Sequence, residues 1–335
     1  MNGTLIIAEA GVNHNGRMNL ARRLVDVAAS AGADFIKFQA FKSKNLVTHS
    51  LDKANYQKKS GKASESQYEM LRKLELSQSE LTELYKYCLD KNIGFMVSAF
   101  DEESLKFILN MDIEYLKVPS GEITNIPYLR RIGRKNKKVI LSTGMSDMNE
   151  VEMAVKALLQ SGLARKNLTI LHCNTEYPTD FSDVNLNAMK TLQSKFKTKV
   201  GYSDHTKGSH VSIAAVSLGA SVIEKHITLN KKLKGPDHSA SLEPEEFIRF
   251  VEDIRTTEEI LGSHQKTPTK SEMKNINHAR KVIVASRKIS KGDKFNLKNV
   301  TVKRAGKGLS PLFWDKVIGS VAKKDYIADQ KIFIK

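Results

Sequence analysis

The sequence predicts an α/β chain: an eight-stranded (β/α)8 TIM barrel followed by a small β-rich unit. Three observations lead there. Short apolar runs alternate eight times with amphipathic, helix-length segments over residues 1–262, and this count and length suit such a barrel. Almost every run ends on a polar or charged residue, which a core strand would not carry at its last position unless that tip faced solvent or a ligand. A doubly wound open sheet is the alternative, and it calls for a glycine-rich nucleotide loop after the first strand. Here Gly11-Val12-Asn13-His14-Asn15-Gly16 has the wrong spacing, and no Walker sequence occurs.

Taken in order, the expected strands are Leu5 to Glu9, Phe35 to Gln39, Gly94 to Ser98, Tyr115 to Val118, Val139 to Ser142, Leu168 to His172, Val200 to Ser203 and Val222 to His226. Helical periodicity fills Asn19 to Ala31, Ser79 to Asp90, Glu150 to Gln160, Val211 to Leu218 and Pro244 to Leu261, the last closed by Gly262. Turn residues such as Gly32-Ala33-Asp34 and Gly219-Ala220-Ser221 precede the next strand. The connection from Lys42 to Leu76 is long and rich in Lys, Ser and Gln, and reads either as a lid over the second strand tip or as a disordered insertion. Residues 263–279 read as a polar linker with some helical character. Residues 280–335 read as a basic β-type unit built from Lys281 to Ala285, Ile289 to Asp293, Leu297 to Lys303, Arg304 to Gly308 and Ile318 to Val321. A unit of that size is marginal for independent stability, so it is expected to dock on something.

Composition narrows the function. Hydrophobic residues make up 40% and charged residues 27% of the 335, ordinary values for a soluble globular protein. No apolar run is long enough to cross a bilayer, and the first nine residues lack the basic region of a secretory signal. With only Cys88 and Cys173 present, a disulfide framework is not indicated and a reducing cytoplasm is expected. The net charge of +17 could draw nucleic acid, acidic membrane or small anions. The lysines and arginines are scattered and no nucleic-acid signature accompanies them, so solvated helix faces explain most of the charge and anion steering comes second.

The segment from Val200 to Asp237 organises the chemistry. Two β-like runs, each ending in a histidine, flank one helix-length stretch. A strand–helix–strand unit makes such strands parallel neighbours with their C-terminal tips on one edge. His205 and His226 should therefore meet, amid Ser203, Asp204, Glu224 and Asp237. Either histidine alone is as well explained by capping a strand, but the pair suits a divalent metal. Around the same mouth fall Glu9, Lys37, Gln39, Ser98, Lys117 to Glu122, Ser142-Thr143-Gly144 and His172-Cys173-Asn174. Lys37 and Lys117, with Ser120, Ser142 and backbone amides, would suit a phosphate or carboxylate. A lysine could instead form a Schiff base, though the histidine pair favours metal activation of a carbonyl. Glu9 is a candidate general base or a binder of sugar hydroxyls. The residues alone lead to a carbon–carbon bond enzyme acting on a phosphorylated or carboxylated partner, with no named substrate.

Seven segments resemble the sialic acid synthase family. They are Ile7 to Gly16, Lys37-Phe38-Gln39, Leu141 to Met145, His172 to Thr179, Gly201 to Thr206, Glu224-Lys225-His226 and Gly235 to Pro244. Residues 280–335 are similar to the antifreeze-like (SAF) domain of those synthases. The resemblance implies condensation of phosphoenolpyruvate with an N-acylated aldose, giving a nine-carbon 2-keto acid and phosphate. It implies a divalent ion, Mn2+ or Mg2+, on His205 and His226. It places Lys37, Lys117, Ser120, Ser142, Ser203 and Ser98 at phosphoenolpyruvate, and Glu9, Gln39, Tyr177 and Asp237 on the sugar side, with Glu122 among the substrate-binding residues. It also implies a domain-swapped homodimer in which Arg304 touches the sugar N-acyl group. Ser98-Ala99, Pro119 and Asn174-Thr175 depart from the pattern of some members. Lys37 to Gln39 and Asn174 to Tyr177 look more like the legionaminic acid synthase branch, which takes a 2,4-diacetamido-6-deoxy sugar, than like N-acetylneuraminate synthases, which take N-acetylmannosamine. Outside the family, a Schiff-base aldolase and a non-catalytic sugar-binding protein are the competing readings.

Overall fold

A computed structural model describes residues 3–53 and 66–334. The chain divides into two compact units, Met1–Gly262 and Ser263–Lys335. In the first, eight parallel strands close into a barrel in sequence order: β1 (Leu5–Gly11), β2 (Phe35–Ala40), β3 (Gly94–Ala99), β4 (Tyr115–Val118), β5 (Lys138–Ser142), β6 (Leu168–Cys173), β7 (Lys199–Asp204) and β8 (Val222–His226). Each lies within two residues of its expected place. Helices flank the strands outside, and their starts are chemically marked. Ser77 with Glu80 and Asp147 with Glu150 form reciprocal capping boxes at the heads of Gln78–Asp90 and Met148–Gln160, satisfying amide donors that a helix start leaves open.

The two-residue period of a strand sorts the barrel into two chemistries. Outward side chains such as Ala8, Ile36, Val97, Leu116, Leu141 and Ile170 pack against the helices in one continuous core. Inward, Ile7, Phe35, Met96, Ile140, Leu171 and Val222 form a separate apolar plug. At the next inward position every strand but β6, which carries Cys173, turns polar: Glu9, Lys37, Ser98, Lys117, Ser142, Ser203 and Glu224, all buried. The plug is thus a floor and the polar layer lies directly above it, at the end where barrel sites form.

Two glycines make room at that end. Gly11 sits at φ +52 where the β1–β2 register shifts, and a Cβ there would lie 3.1 Å from Glu9 Oε1. A Cβ on Gly144 would lie 2.6 Å from Thr175 Cγ2 and 2.8 Å from the Ser120 hydroxyl. The connection after β2 carries short helices at Ser43–Leu46 and Gln67–Arg72; residues 54–65 of that connection lie outside the described residues.

The second unit holds an antiparallel pair, β9 (Val282–Ala285) with β10 (Val300–Lys303). Its own core gathers Ile283, Ile289, Phe295, Val300, Val317 and Tyr326. The β-type segment expected at Ile318 to Val321 forms no strand. Ile318 and Gly319 form a turn that follows the helical turn Trp314–Val317, and Val321 enters only an isolated bridge to Lys294. Residues 263–279 contain two helical turns, Lys270–Met273 and Ile276–Ala279.

Candidate active site

A cavity of about 430 Å³ opens at the C-terminal ends of the strands. Its floor is a chain of buried charges. Lys37 Nζ, reaching in from β2, lies 2.8 Å from Glu9 Oε2 and 3.0 Å from Glu224 Oε2. Lys117 Nζ, from β4, donates to Ser142 Oγ at 2.8 Å and to Glu224 Oε1 at 3.3 Å. Ser203 Oγ donates to that same Glu224 oxygen at 2.9 Å. Glu224 therefore ties both lysines together. Its two-residue offset from His226 on one strand is the signal that it points inward, and it is the residue whose importance sequence reasoning underrated.

The four charges perturb one another. Burial pushes the Glu9 carboxyl up, Lys37 only partly offsets this, and the pKa comes to about 7. Burial would also raise Glu224, but Lys117 and Lys37 outweigh it and hold this carboxyl well below the usual range. For Lys37, burial works against the ammonium, yet Glu224 and Glu9 leave its pKa above the ordinary lysine value. Lys117 goes the other way. Burial dominates and brings its pKa down to about 8, despite Glu224. The floor holds two cations against one firmly ionised carboxylate and one that protonates near neutrality, so it favours an incoming anion.

Above the floor, His205 and His226 converge with ring centroids 5.3 Å apart, and Tyr177 packs against both at 4.1 and 5.6 Å. The His205 Nδ1–H donates to the Asn174 carbonyl, which leaves the lone pair on Nε2. His226 Nδ1 is buried with no hydrogen-bond partner among the described residues. Desolvation keeps both rings neutral, with His205 at about 4 and His226 well below its ordinary value. Two neutral, converging imidazoles, one held in its ligating tautomer and one with an unsatisfied buried nitrogen, fit a divalent cation. No third His, Cys, Asp or Glu joins them in a cluster among the described residues.

Most of the expected site residues line this cavity: Glu9, Lys37, Gln39, Ser98, Lys117, Ser120, Ser142, Tyr177, Ser203, His205, His226 and Asp237. The Ser98 hydroxyl is buried without a partner among the described residues. Ser120 Oγ accepts the Gly144 amide at 3.0 Å and lies 3.3 Å from Cys173 Sγ. Burial raises the Asp237 carboxyl to about 6. Other placements differ. Glu122 sits beside the lining residues Ser120 and Gly121 but is not in the wall, and it accepts a hydrogen bond from Asn125 at 2.7 Å. Asp204, expected amid the histidines, points outward to Lys225. His172 also turns away from the mouth, its Nε2 2.8 Å from the Val184 carbonyl, so Cys173 takes the inward place on β6. Arg304 is an exposed residue of the second unit.

A second feature was not foreseen. One side of the cavity is apolar, made by Phe41, Leu46, Met70, Leu71, Leu74 and Phe100. Four of them, Leu46, Met70, Leu71 and Leu74, come from the connection that reads in sequence either as a lid over the second strand tip or as a disordered insertion; neither reading names an apolar wall.

Known proteins agree with this architecture. The chain is 49% identical over 332 residues to an N,N'-diacetyllegionaminic acid synthase of Campylobacter jejuni, covering 99% of each chain. It is 44% identical to the enzyme of that name from Legionella pneumophila, covering 94% of this chain and 89% of that one. The solved N-acetylneuraminic acid (sialic acid) synthetase of Leptospira borgpetersenii superposes with a TM-score of 0.70 at 36% identity, over 82% of this chain and 90% of that one. Residues 24–266 match the NeuB family and residues 280–333 match the SAF domain. A closed barrel with this charged floor, sequence identity along nearly the whole chain and both matches in the expected order lead to one conclusion: the protein belongs to the NeuB family and carries a SAF domain.

Proposed function

We propose that the protein condenses phosphoenolpyruvate with an N-acylated aldose and water to give a nine-carbon 2-keto acid and phosphate. Within that reaction it acts as an N,N'-diacetyllegionaminate synthase taking 2,4-diacetamido-2,4,6-trideoxymannose. The observation that carries the reaction is the Lys37–Glu224–Lys117 chain, set on the barrel floor beneath two neutral imidazoles. The choice of sugar rests on likeness to the two legionaminic acid synthases, in preference to N-acetylmannosamine.

Phosphoenolpyruvate is an anion at both ends, and the lysines supply the matching charge. Lys37 and Lys117 hold its phosphate and carboxylate, with the hydroxyls of Ser98, Ser120, Ser142 and Ser203 as further partners. Charge-assisted hydrogen bonds of this kind are roughly twice as strong as neutral ones. The enol carbon attacks the open-chain aldehyde, a carbon–carbon bond forms, and the aldehyde oxygen takes up a proton. Water then adds to the cationic carbon, which still carries the phosphate, and gives up one proton; the carbon–oxygen bond to phosphate breaks as the new hydroxyl loses its proton and becomes the ketone. Glu9, with a pKa near 7, is poised to move protons in these steps. His205 and His226 would hold Mn2+ or Mg2+, whose Lewis acidity, when bound, polarises the aldehyde. Gln39, Tyr177 and Asp237 face the sugar, with Glu122 at the edge. Arg304 is assigned to the N-acyl group in a domain-swapped homodimer.

Phosphate release from phosphoenolpyruvate tests the proposal, with each sugar offered separately and with Mn2+ or EDTA present. Release with the trideoxy sugar and Mn2+, abolished by EDTA, is the expected result. Release only with N-acetylmannosamine would move the chain to the other branch. A product trapped by borohydride on Lys37 or Lys117 would replace the mechanism with a Schiff-base one.

A further inference from the structure

On β7 and β8 the strand period places three kinds of pair side by side. Ser203 and Glu224 are register partners pointing inward, and Asp204 and Lys225 are partners pointing outward. His205 and His226 come next, pointing inward again. Asp204↔Lys225 is the last pair in the β7–β8 ladder. His205 therefore lies past the end of the backbone pairing with the strand that carries His226.

What holds the two strands together at that point is an ion pair. Lys225 Nζ lies 3.0 Å from Asp204 Oδ2, and both side chains are fully buried. The same ammonium donates to the Thr206 carbonyl, so Lys225 grips the residue before His205 and the residue after it. Asp204 Oδ1 accepts the Thr206 amide at 2.8 Å and the Thr206 hydroxyl at 2.7 Å, folding the chain into a tight turn with His205 at its apex. Ser212 Oγ fills Oδ2 from the following helix at 2.6 Å.

The position of this pair is unusual. At the same level on β1 to β5 the outward side chains are Ala8, Phe38, Val97, Val118 and Leu141, all in the apolar core. A buried ion pair is seldom more stabilising than apolar side chains of similar volume, so stability alone gives no reason for charge here. Its geometry does, because it braces the turn that presents His205 against the strand that presents His226.

We infer that Asp204 and Lys225 are positioning residues that fix the spacing of the two imidazoles and thereby set the protein's affinity for a divalent cation. The inference rests on the reading that His205 and His226 hold such an ion. Neither Asp204 nor Lys225 lines the cavity, so their action runs through the histidines. Residues that orient metal ligands in this way typically change metal affinity by about 10–100-fold when removed.

The test is direct Mn2+ binding to the full chain, followed by the electron paramagnetic resonance signal of free Mn2+, with melting measured in parallel. Four proteins are compared: the parent, His226→Ala, Asp204→Asn/Lys225→Met and Ser212→Ala. The double variant removes both charges together and so leaves neither one stranded. It should melt near the parent yet bind Mn2+ about 10–100-fold more weakly. A folded double variant with parental Mn2+ affinity overturns the inference. Should that variant not fold, Ser212→Ala decides, because it removes one hydrogen bond and no charge. A several-fold loss of affinity supports the clamp, and an unchanged affinity overturns it. If the parent shows no saturable Mn2+ binding, or His226→Ala binds as well as the parent, the cation reading itself fails and the clamp falls with it. That pattern differs from one in which only the double variant matches the parent.

Discussion

Two buried ionic groups adjoin at β8, where Glu224 belongs to one and the next residue, Lys225, to the other, and they behave differently. The outer one, Asp204 with Lys225, is saturated: both aspartate oxygens have hydrogen-bond partners and the ammonium has a carboxylate and a carbonyl. The inner one, Glu9–Lys37–Glu224–Lys117, opens onto a cavity, and its members pull one another's pKa values apart, with Glu9 at about 7 and Lys117 at about 8. Burial alone therefore does not mark a functional charge. What separates the two groups is whether spare hydrogen-bonding capacity faces empty space. A saturated pair braces the chain, while an unsaturated one next to a void is prepared for a ligand.

This contrast can be broken most forcefully from the outer side. Lys225→Met leaves Asp204 buried without its cation, and should destabilise the fold by about 3–5 kcal/mol, read as a lower denaturant midpoint. A stability close to that of the parent would make the outer pair dispensable. The inner group should respond in the opposite way. Lys117→Ala should cost about 10²–10³ in kcat/KM for phosphoenolpyruvate, the loss typical of deleting one preorganised electrostatic donor, while moving the melting temperature little. Equal damage to stability and turnover would erase the distinction.

Titration sharpens the comparison further. Lys117 loses its proton around pH 8, so kcat/KM for phosphoenolpyruvate should fall as pH rises through that value, and the free enzyme's pKa governs this profile. A flat profile between pH 7 and pH 9 would remove Lys117 from anion binding. Stability should fail at the acid end instead. Burial lowers His14 and His238 from 6.5 to about 4, so between those values the unfolded chain binds more protons than the folded one. Stability is then full above about pH 6.5 and is lost as pH falls towards 4. Melting temperatures across that interval check the sign. The smallest effect is expected at Ser98, whose buried hydroxyl has no partner among the described residues. Ser98→Ala should raise KM for phosphoenolpyruvate by a few-fold, about one neutral hydrogen bond's worth, with stability unchanged.

How much of this could be read beforehand depended on the range of the interaction. The barrel and its polar tips follow from local periodicity, and all eight strands fall within two residues of their expected bounds. The same period would have sorted Asp204 and Lys225 outward and Glu224 inward, once His205 and His226 were taken as inward. Grouping Asp204 with the histidines ignored that alternation. His172 shows the same lesson, since β6 runs one residue further, to Cys173, and reverses which side chain faces the mouth. The apolar side of the cavity was out of reach for a different reason. Phe41, Met70 and Leu74 pack with Val12 in a small cluster of their own, and a contact between a long connection and β1's following turn leaves no local signature. The second unit was legible as a basic β-type module, but of the run Ile318 to Val321 only Val321 pairs, in an isolated bridge to Lys294, because the chain turns at Ile318 and Gly319.

The plug of Ile7, Phe35, Met96, Ile140, Leu171 and Val222 makes the reaction chamber a blind tube with one door. Whatever sits on its floor must enter before anything that sits nearer the door, and must leave after it. On the proposed assignment Lys37, Lys117 and Ser142 on the floor are fully enclosed, as are Glu9 and Asp237 on the sugar side, whereas Ser120, Gln39 and Tyr177 are only half-buried. If phosphoenolpyruvate takes the floor as proposed, it would load before the aldose and the phosphate would leave after the sugar acid.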